Sequence, residues 1–310
     1  MSAALDVLGI GESSLDQVAW LPHFPRFGEK LAMTDWTEHA GGQIATAVLA
    51  CARLGLRTGF VGAIGDDVAG TRILAPLVEA GVELSGVRTR AGVRSRGAMI
   101  LVDRASGERT VLWHRPAALA LTPGDLEPHT VERARVLLLD ASDPELAQWV
   151  AVEARRAGRP VVLDADTLQP GLRKLLGAVD HPIVPERLAQ ALFGTEELRE
   201  ALSGMARDGA RLPVVTRGAA GAVAMVDGRL VQSPAFDVRV LDTTGAGDVF
   251  HGAFAFGRVR GLDPEDLLRL ANAAAGMSCR FPGAQGGLPT RGELMDFLAS
   301  RGRPIEGGGR

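Results

Sequence analysis

The 310-residue sequence predicts an α/β protein, a three-layer α/β/α domain with a mainly parallel central sheet and a small β-sheet lid. Three observations predict it. Short apolar runs at 136–140 and 161–164 each end in Asp and enclose a helical pattern at 144–157, a strand–helix–strand unit whose carboxylates mark the binding edge of a parallel sheet. The run from Ile44 to Leu54 is apolar on all sides, so it must be buried between layers. Two stretches, 18–37 and 94–115, break this rhythm into short alternating pieces with prolines at 22 and 25. They read as one small sheet projecting from the main domain, with edge strands of the main sheet as the alternative. One domain over 1–310, with a lid formed by about 17–38 and 94–115, is the expected organisation.

Each element follows in order. Residues 5–10 are an apolar run suited to a buried first strand, ending in Gly9-Ile10-Gly11 without the third glycine of a dinucleotide fingerprint. Gly41-Gly42 opens the all-apolar helix and Gly55 closes it, which puts the glycines at the mouth where backbone can approach a ligand. Residues 58–65 read as one strand and 68–80 as a helix closed by Gly81. Ala98–Val102 and Thr110–Trp113 form a hairpin about a turn at 103–108. Residues 183–184, 213–216 and 222–226 complete the main sheet. Residues 236–240 alternate like a strand, 262–280 and 291–300 are helical, and 307–310 is a frayed tail.

Composition narrows the class. The formal net charge is −3, so no broad basic surface is offered to nucleic acid. The two lysines, Lys30 and Lys174, do not follow a glycine, which excludes a Walker-type phosphate loop. Cys51 and Cys279 lie in apolar helical runs and are expected to be buried thiols. With no leader-like start and no apolar run of membrane length, a soluble cytoplasmic protein is expected, with no membrane partner.

The chain is organised around Asp242-Thr243-Thr244-Gly245-Ala246-Gly247-Asp248, a small-residue turn between an alternating run and a helix. Such a turn leaves the first helical N–H groups unpaired at the positive end of the helix dipole, an anion site formed by Gly245, Ala246 and Gly247. Asp248 in the first turn would repel a bound phosphate, so it makes poor sense as a binder. As a base taking a proton from an attacking hydroxyl it makes good sense. An Asp that merely compensates the helix dipole is the alternative for the short motif alone.

The longer string, Asp242 to Asp248 followed by Phe250, resembles the C-terminal signature of the ribokinase-like (PfkB) carbohydrate kinases. Gly41-Gly42 with its helix and Thr216-Arg217-Gly218-Ala219-Ala220-Gly221 extend the likeness over nearly the whole chain. The resemblance implies a ribokinase-like fold and Mg²⁺-ATP-dependent phosphorylation of a primary hydroxyl on a ketose or furanose sugar. It implies Asp248 as base and Asp16 as the holder of sugar hydroxyls, helped by Gly41 and Gly42, with Thr46 where an Asn is usual. Thr216, Gly218, Gly221 and Asn272 match nucleotide-contact positions. Asp242, Thr244, Ser278, Phe281, Gly283 and Gly287 match a ring around a monovalent cation, K⁺. The usual Asn-x-x-Glu motif reads Pro185-Glu186-Arg187-Leu188 here, so Mg²⁺ is expected through water on Asp164 or Glu186, with Asp166 nearby. The run Gly42–Ala47, the 163–166 strand end, Asp248–Gly252 and Cys279 look most like the ketohexokinase and sulfofructose kinase branch. Trp113 and Ser142, however, stand where a sulfonate would need donors.

A nucleoside kinase of the same family and a non-catalytic sugar or nucleotide sensor are the competing readings, and a nicotinamide-dependent oxidoreductase ranks last. Sugar specificity is expected from Lys30, Arg96, Trp113 and His114. An exposed apolar lid face would make a homodimer, lid to lid.

Overall fold

A computed structural model describes residues 5–106, 109–302 and 305. The turn residues Gly107 and Glu108 and the expected frayed tail lie outside the described residues. The chain opens with β1 (Leu5–Ile10), β2 (Ser14–Leu21), β3 (Asp35–Gly41) and α1 (Gln43–Arg53). It continues through β4 (Thr58–Val61), β5 (Ala63–Gly65), α2 (Val68–Glu79), β6 (Arg88–Arg90), β7 (Gly97–Asp103) and β8 (Arg109–His114). A regular half follows: β9 (Ala134–Asp140), α3 (Pro144–Arg156), β10 (Val161–Asp164), α4 (Leu172–Ala178), β11 (His181–Pro185), α5 (Glu186–Phe193) and α6 (Leu198–Asp208). The last elements are β12 (Val214–Thr216), β13 (Ala222–Val226), β14 (Arg229–Ser233), α7 (Ala246–Arg260), α8 (Pro264–Ser278) and α9 (Arg291–Ser300).

Eight strands form the main sheet in the order β14-β13-β12-β11-β10-β9-β1-β4. The pairs from β12 to β4 are parallel, and β13 and β14 are added antiparallel. Two-residue alternation sorts each strand between two cores. Val136 and Leu138 of β9 join the layer of α1, α7 and α8, whereas Leu137 and Leu139 join the layer of α3 to α6. Buried on both faces, these strands read as continuous apolar runs, which is why the sequence located β1, β10 and β13 to the residue.

The second sheet, β3-β2-β7-β8, unites the two irregular stretches as expected. β2 pairs β7 in parallel, while β3 and β8 flank them antiparallel. Its private core is small: Val18, Ile100 and Val102 with Trp20 against them. All of β8 is exposed, as are Met33, Trp36 and Met99.

Three elements differ from expectation. Residues 58–65 are two strands: the chain leaves the main sheet at Gly62, and β5 pairs β6 instead. Residues 236–240 form no strand. Their alternation instead packs Phe236 edge-on against Phe297 (5.3 Å) and turns Phe236, Val238 and Val240 toward a cavity. The main sheet ends instead on β14, a short strand with a weak sequence signal.

Candidate active site

The strand ends, α1 and α7 converge at the carboxyl edge of the main sheet. Gly245 caps α7 with φ +75°, a left-handed turn that an L side chain resists, and a Cβ there would stand 2.6 Å from Ala284. The Ala246 N–H donates to Thr243 O (3.2 Å), so the helix donors left without an intrahelical acceptor are those of Gly247 and Asp248. Of the three residues expected to form an anion site, Gly247 is the one with its N–H left over at the helix start. Its floor is built by Asp242, whose Oδ1 accepts from the backbone and hydroxyl of Thr244 (2.8 and 2.7 Å) and whose Oδ2 accepts from Gly283 N (2.8 Å). Leu241 N and Asp242 N both donate to Cys279 O. The structure thus brings Asp242, Thr244, Ser278, Phe281, Gly283 and Gly287 together beneath the turn. The Phe281 N–H donates to Ser278 O, and a Cβ at Gly287 would lie 2.7 Å from that same oxygen.

Asp248 opens this helix toward a cluster of carboxyls. Its carboxyl is raised well above the ordinary range, first by burial and then by repulsion from Asp164, Asp166 and Asp16, with Arg96 opposing. Behind it, Asp164 is 4 % exposed and held by Gln43 Nε2 (3.0 Å) and His251 Nδ1 (3.3 Å). Burial raises Asp164 to about 6, against the pull of His251. Gln43 and His251 were missed by sequence reasoning. His251 lies one turn beyond Gly247, whose carbonyl also contacts its Nδ1 (2.7 Å), and that i, i+4 spacing was the available signal.

Asp16, in β2, is 8 % exposed and accepts from Ser14 Oγ (2.7 Å). Burial raises its carboxyl, with Ser14, Arg96 and His39 opposing. The backbone at Gly41 and Gly42 lies close against neighbouring protein atoms. A Cβ on Gly41 would meet Asp16 Oδ2 at 2.3 Å, and one on Gly42 would meet Ser13 Cα at 2.4 Å. The glycines let Asp16 pack beside the α1 N-terminus. Thr46, in α1, is fully buried and accepts from Gln285 Nε2 (3.3 Å). A short side chain at that position admits Gln285.

A cavity of about 530 Å³ adjoins the turn, lined by Thr216, Gly218, Gly221, Phe236, Gly247 and Asn272 among others. All four expected nucleotide positions therefore meet in one place. Asn272 faces it while donating to Ser233 O (2.9 Å), which ties the 233–235 segment to α8. Arg109, at the start of β8, donates across to the hydroxyl of Thr243, so the small sheet touches the phosphate turn itself. Asp166 is exposed and Glu186 pairs with Arg217 (3.3 Å), both beside Thr216 and Gly218. Among the described residues, no group of three His, Cys, Asp or Glu side chains is set to hold a metal directly. That donor set fits an ion carried by a nucleotide and touched through water, with Asp166 better available than Asp164.

A helix N-terminus with unpaired N–H groups, a half-buried carboxyl in its first turn and an adjoining cavity of about 530 Å³ on an α/β sheet edge suit a phosphotransferase with an alcohol acceptor. Residues 5–291 match the model of the pfkB family carbohydrate kinases, and the chain belongs to that family. It is 33 % identical over 296 residues to a ribokinase of Bacillus subtilis, covering 94 % of this chain and 98 % of that one. Arabidopsis thaliana ribokinase, solved with ribose and ATP, superposes with a TM-score of 0.82 at 26 % identity, covering 95 % and 98 % of the two chains. Ribokinase from Thermotoga maritima gives a TM-score of 0.83 at 26 % identity, covering 95 % and 99 %.

Proposed function

We propose that this carbohydrate kinase transfers the γ-phosphate of ATP to a primary hydroxyl of a ribose- or fructose-like sugar, with Asp248 as the base. The observation that carries the reading is the position of Asp248, beside Gly247 on the cavity rim and within electrostatic reach of Asp16 and Arg96 on the far side. The sugar lies between Asp16 and Asp248, its hydroxyls donating to the Asp16 carboxylate. The triphosphate enters from the cavity, and the Gly247 and Asp248 N–H groups face the oxygens on which charge develops. Asp248 accepts the proton as the hydroxyl oxygen bonds to phosphorus and the ADP oxygen departs. A raised carboxyl suits this task, since it is a stronger base than an exposed aspartate. Mg²⁺, when bound with the nucleotide, neutralises phosphate charge, and water on Asp166, Asp164 or Glu186 would hold it. The carbonyl-rich turn below the anion site suits K⁺, which would stiffen the turn from behind.

The small sheet over 17–38 and 94–115 serves as a lid, supported by the Arg109–Thr243 contact. Its exposed Met33, Trp36, Met99, Leu112 and Trp113 support a homodimer formed lid to lid. Free buried cysteines and the need for ATP suit the cytoplasm. The deciding experiment is ADP release across neutral ketoses, aldoses and nucleosides with wild type and Asp248→Asn. Sugar-dependent turnover that Asp248→Asn abolishes supports the proposal, and preferential turnover of nucleosides would redirect it.

A further inference from the structure

Three segments distant in sequence meet at the edge of the sugar pocket through charge. Glu12 stands just past the end of β1, Arg96 just before β7, and Arg115 just after β8. Arg96 Nε lies 3.1 Å from Glu12 Oε2 and Arg115 Nε 3.1 Å from Glu12 Oε1, so a single carboxylate bridges both guanidinium groups. The site is well enclosed: the Glu12 side chain is 9 % exposed, Arg96 18 % and Arg115 17 %. Arg115 is further engaged by both oxygens of Asp143 (2.9 and 2.6 Å). Asp140 accepts from the Glu12 backbone N–H (2.6 Å), adding another carboxyl behind the bridge. Arg96 packs over the Trp113 ring (5.9 Å) and acts on the carboxyls of both Asp16 and Asp248. The Arg96 carbonyl accepts from Leu15 N–H (3.1 Å) and Asp16 pairs Ala98 in the β2–β7 register, which places Arg96 beside Asp16 on the small sheet.

A lone arginine there would invite a sugar bearing a carboxylate or phosphate. Here its charge is already matched. Arg96 and Arg115 share the Glu12 carboxylate and Arg115 also pairs Asp143, so two guanidinium charges are matched by two carboxylates, while burial raises the carboxyls of Asp140 and Asp16 beside them. An added anion there would find no unpaired guanidinium to match it and would face the Glu12 carboxylate in a poorly hydrated space. A buried guanidinium that is already ion-paired still has N–H groups to offer neutral hydroxyls.

We propose that Arg96 is a substrate-contacting donor for an uncharged sugar, and that Glu12, by neutralising Arg96, is the residue that excludes anionic sugars. The proposal deepens the sugar-kinase reading and rests on it. One unit charge about 6 Å away at an effective dielectric of about 20 amounts to roughly 10²-fold in selectivity.

The test compares substrates whose charge lies away from the primary hydroxyl. ADP release is measured for D-ribose against ribose 1-phosphate and for D-fructose against 2-dehydro-3-deoxygluconate, using the full chain. Wild type should favour the neutral member of each pair by about 10²-fold in kcat/KM. Glu12→Gln keeps the shape and removes the charge, and should raise the anionic-to-neutral ratio at least about tenfold. A purely structural role for Glu12 would change both members alike and leave that ratio unmoved. Arg96→Gln should weaken binding of the neutral sugars, seen as a higher KM. Binding of the same four sugars, followed by tryptophan fluorescence without nucleotide, reads selectivity independently of turnover. Should Glu12→Gln fail to fold, Glu12→Asp, which retains the charge, and the wild-type binding ratio still decide the matter. A wild type that prefers either anionic sugar, or an unchanged ratio in folded Glu12→Gln, overturns the proposal. Selective binding of neutral sugars without any turnover would sustain this inference while sinking the kinase mechanism.

Discussion

Replacing Asp248 by Asn separates catalysis from stability, because the same burial that makes the carboxyl a base also makes its charge unfavourable to the fold. Burial, Asp164, Asp166 and Asp16 all raise its pKa, and Arg96 offsets them only in part. The folded protein therefore binds this proton more tightly than the unfolded chain does. Stability associated with the group is complete below the unfolded carboxylate value of 3.8 and is lost as pH rises through the raised folded value. Asp248→Asn removes that loss, so its Tm should exceed wild type at pH 7.5, and the difference should shrink as pH falls. Catalysis should move the other way. Asn preserves shape but accepts no proton, and general-base assistance is typically worth ~10²–10⁴-fold, about 3–5.5 kcal/mol of barrier. Steady-state ADP release should show kcat lower by that factor, with affinities for sugar and nucleotide little changed. The wild-type kcat should also fall on the acid side, beginning above the ordinary carboxylate range. An Asp248→Asn enzyme that keeps most of its kcat on a verified sugar would refute the assignment of the base.

Asp16→Asn should chiefly raise KM for the sugar, with a much smaller effect on kcat, the converse of Asp248→Asn; equal losses in both parameters would count against separate roles. Gly245→Ala places a Cβ against Ala284 at φ +75°, so thermal unfolding should show about 1–2 kcal/mol of lost stability. Turnover should exceed that in Na⁺ or a bulky organic cation when K⁺ is present, and equal rates in all three would mean that the turn holds no activating ion. Excess chelator should abolish activity, whereas Glu186→Ala should retain nucleotide binding, since Glu186 already pairs with Arg217; full activity in chelator contradicts this. Trp20, Trp36 and Trp113 all lie on the small sheet, so sugar should change tryptophan fluorescence more than nucleotide alone. Sedimentation at micromolar concentration should give a dimer, and a monomer would remove the lid-to-lid assembly.

Features encoded locally were legible in the amino-acid sequence. Strands buried on both faces must be apolar throughout, so Leu5–Ile10 and Val161–Asp164 announced themselves. The turn before α7 needs small residues to adopt a left-handed cap and to leave helix donors free, so the segment from Asp242 to Asp248 was legible as an anion site with a carboxyl beside it. What only the tertiary structure decided depends on partners distant in the chain. Residues 236–240 carry a strand's alternation, but in the fold it packs Phe236 against Phe297 and lines the cavity. Thr46 sits on the expected helix turn, and the approach of Gln285 from the far end of the chain gives its hydroxyl a partner that no local pattern foretells. Arg96 was an expected specificity residue, but nothing in the sequence linked it to Glu12 or Arg115. Folding puts one carboxylate between two guanidinium groups, and their neutralisation is a property of distances that no local pattern encodes.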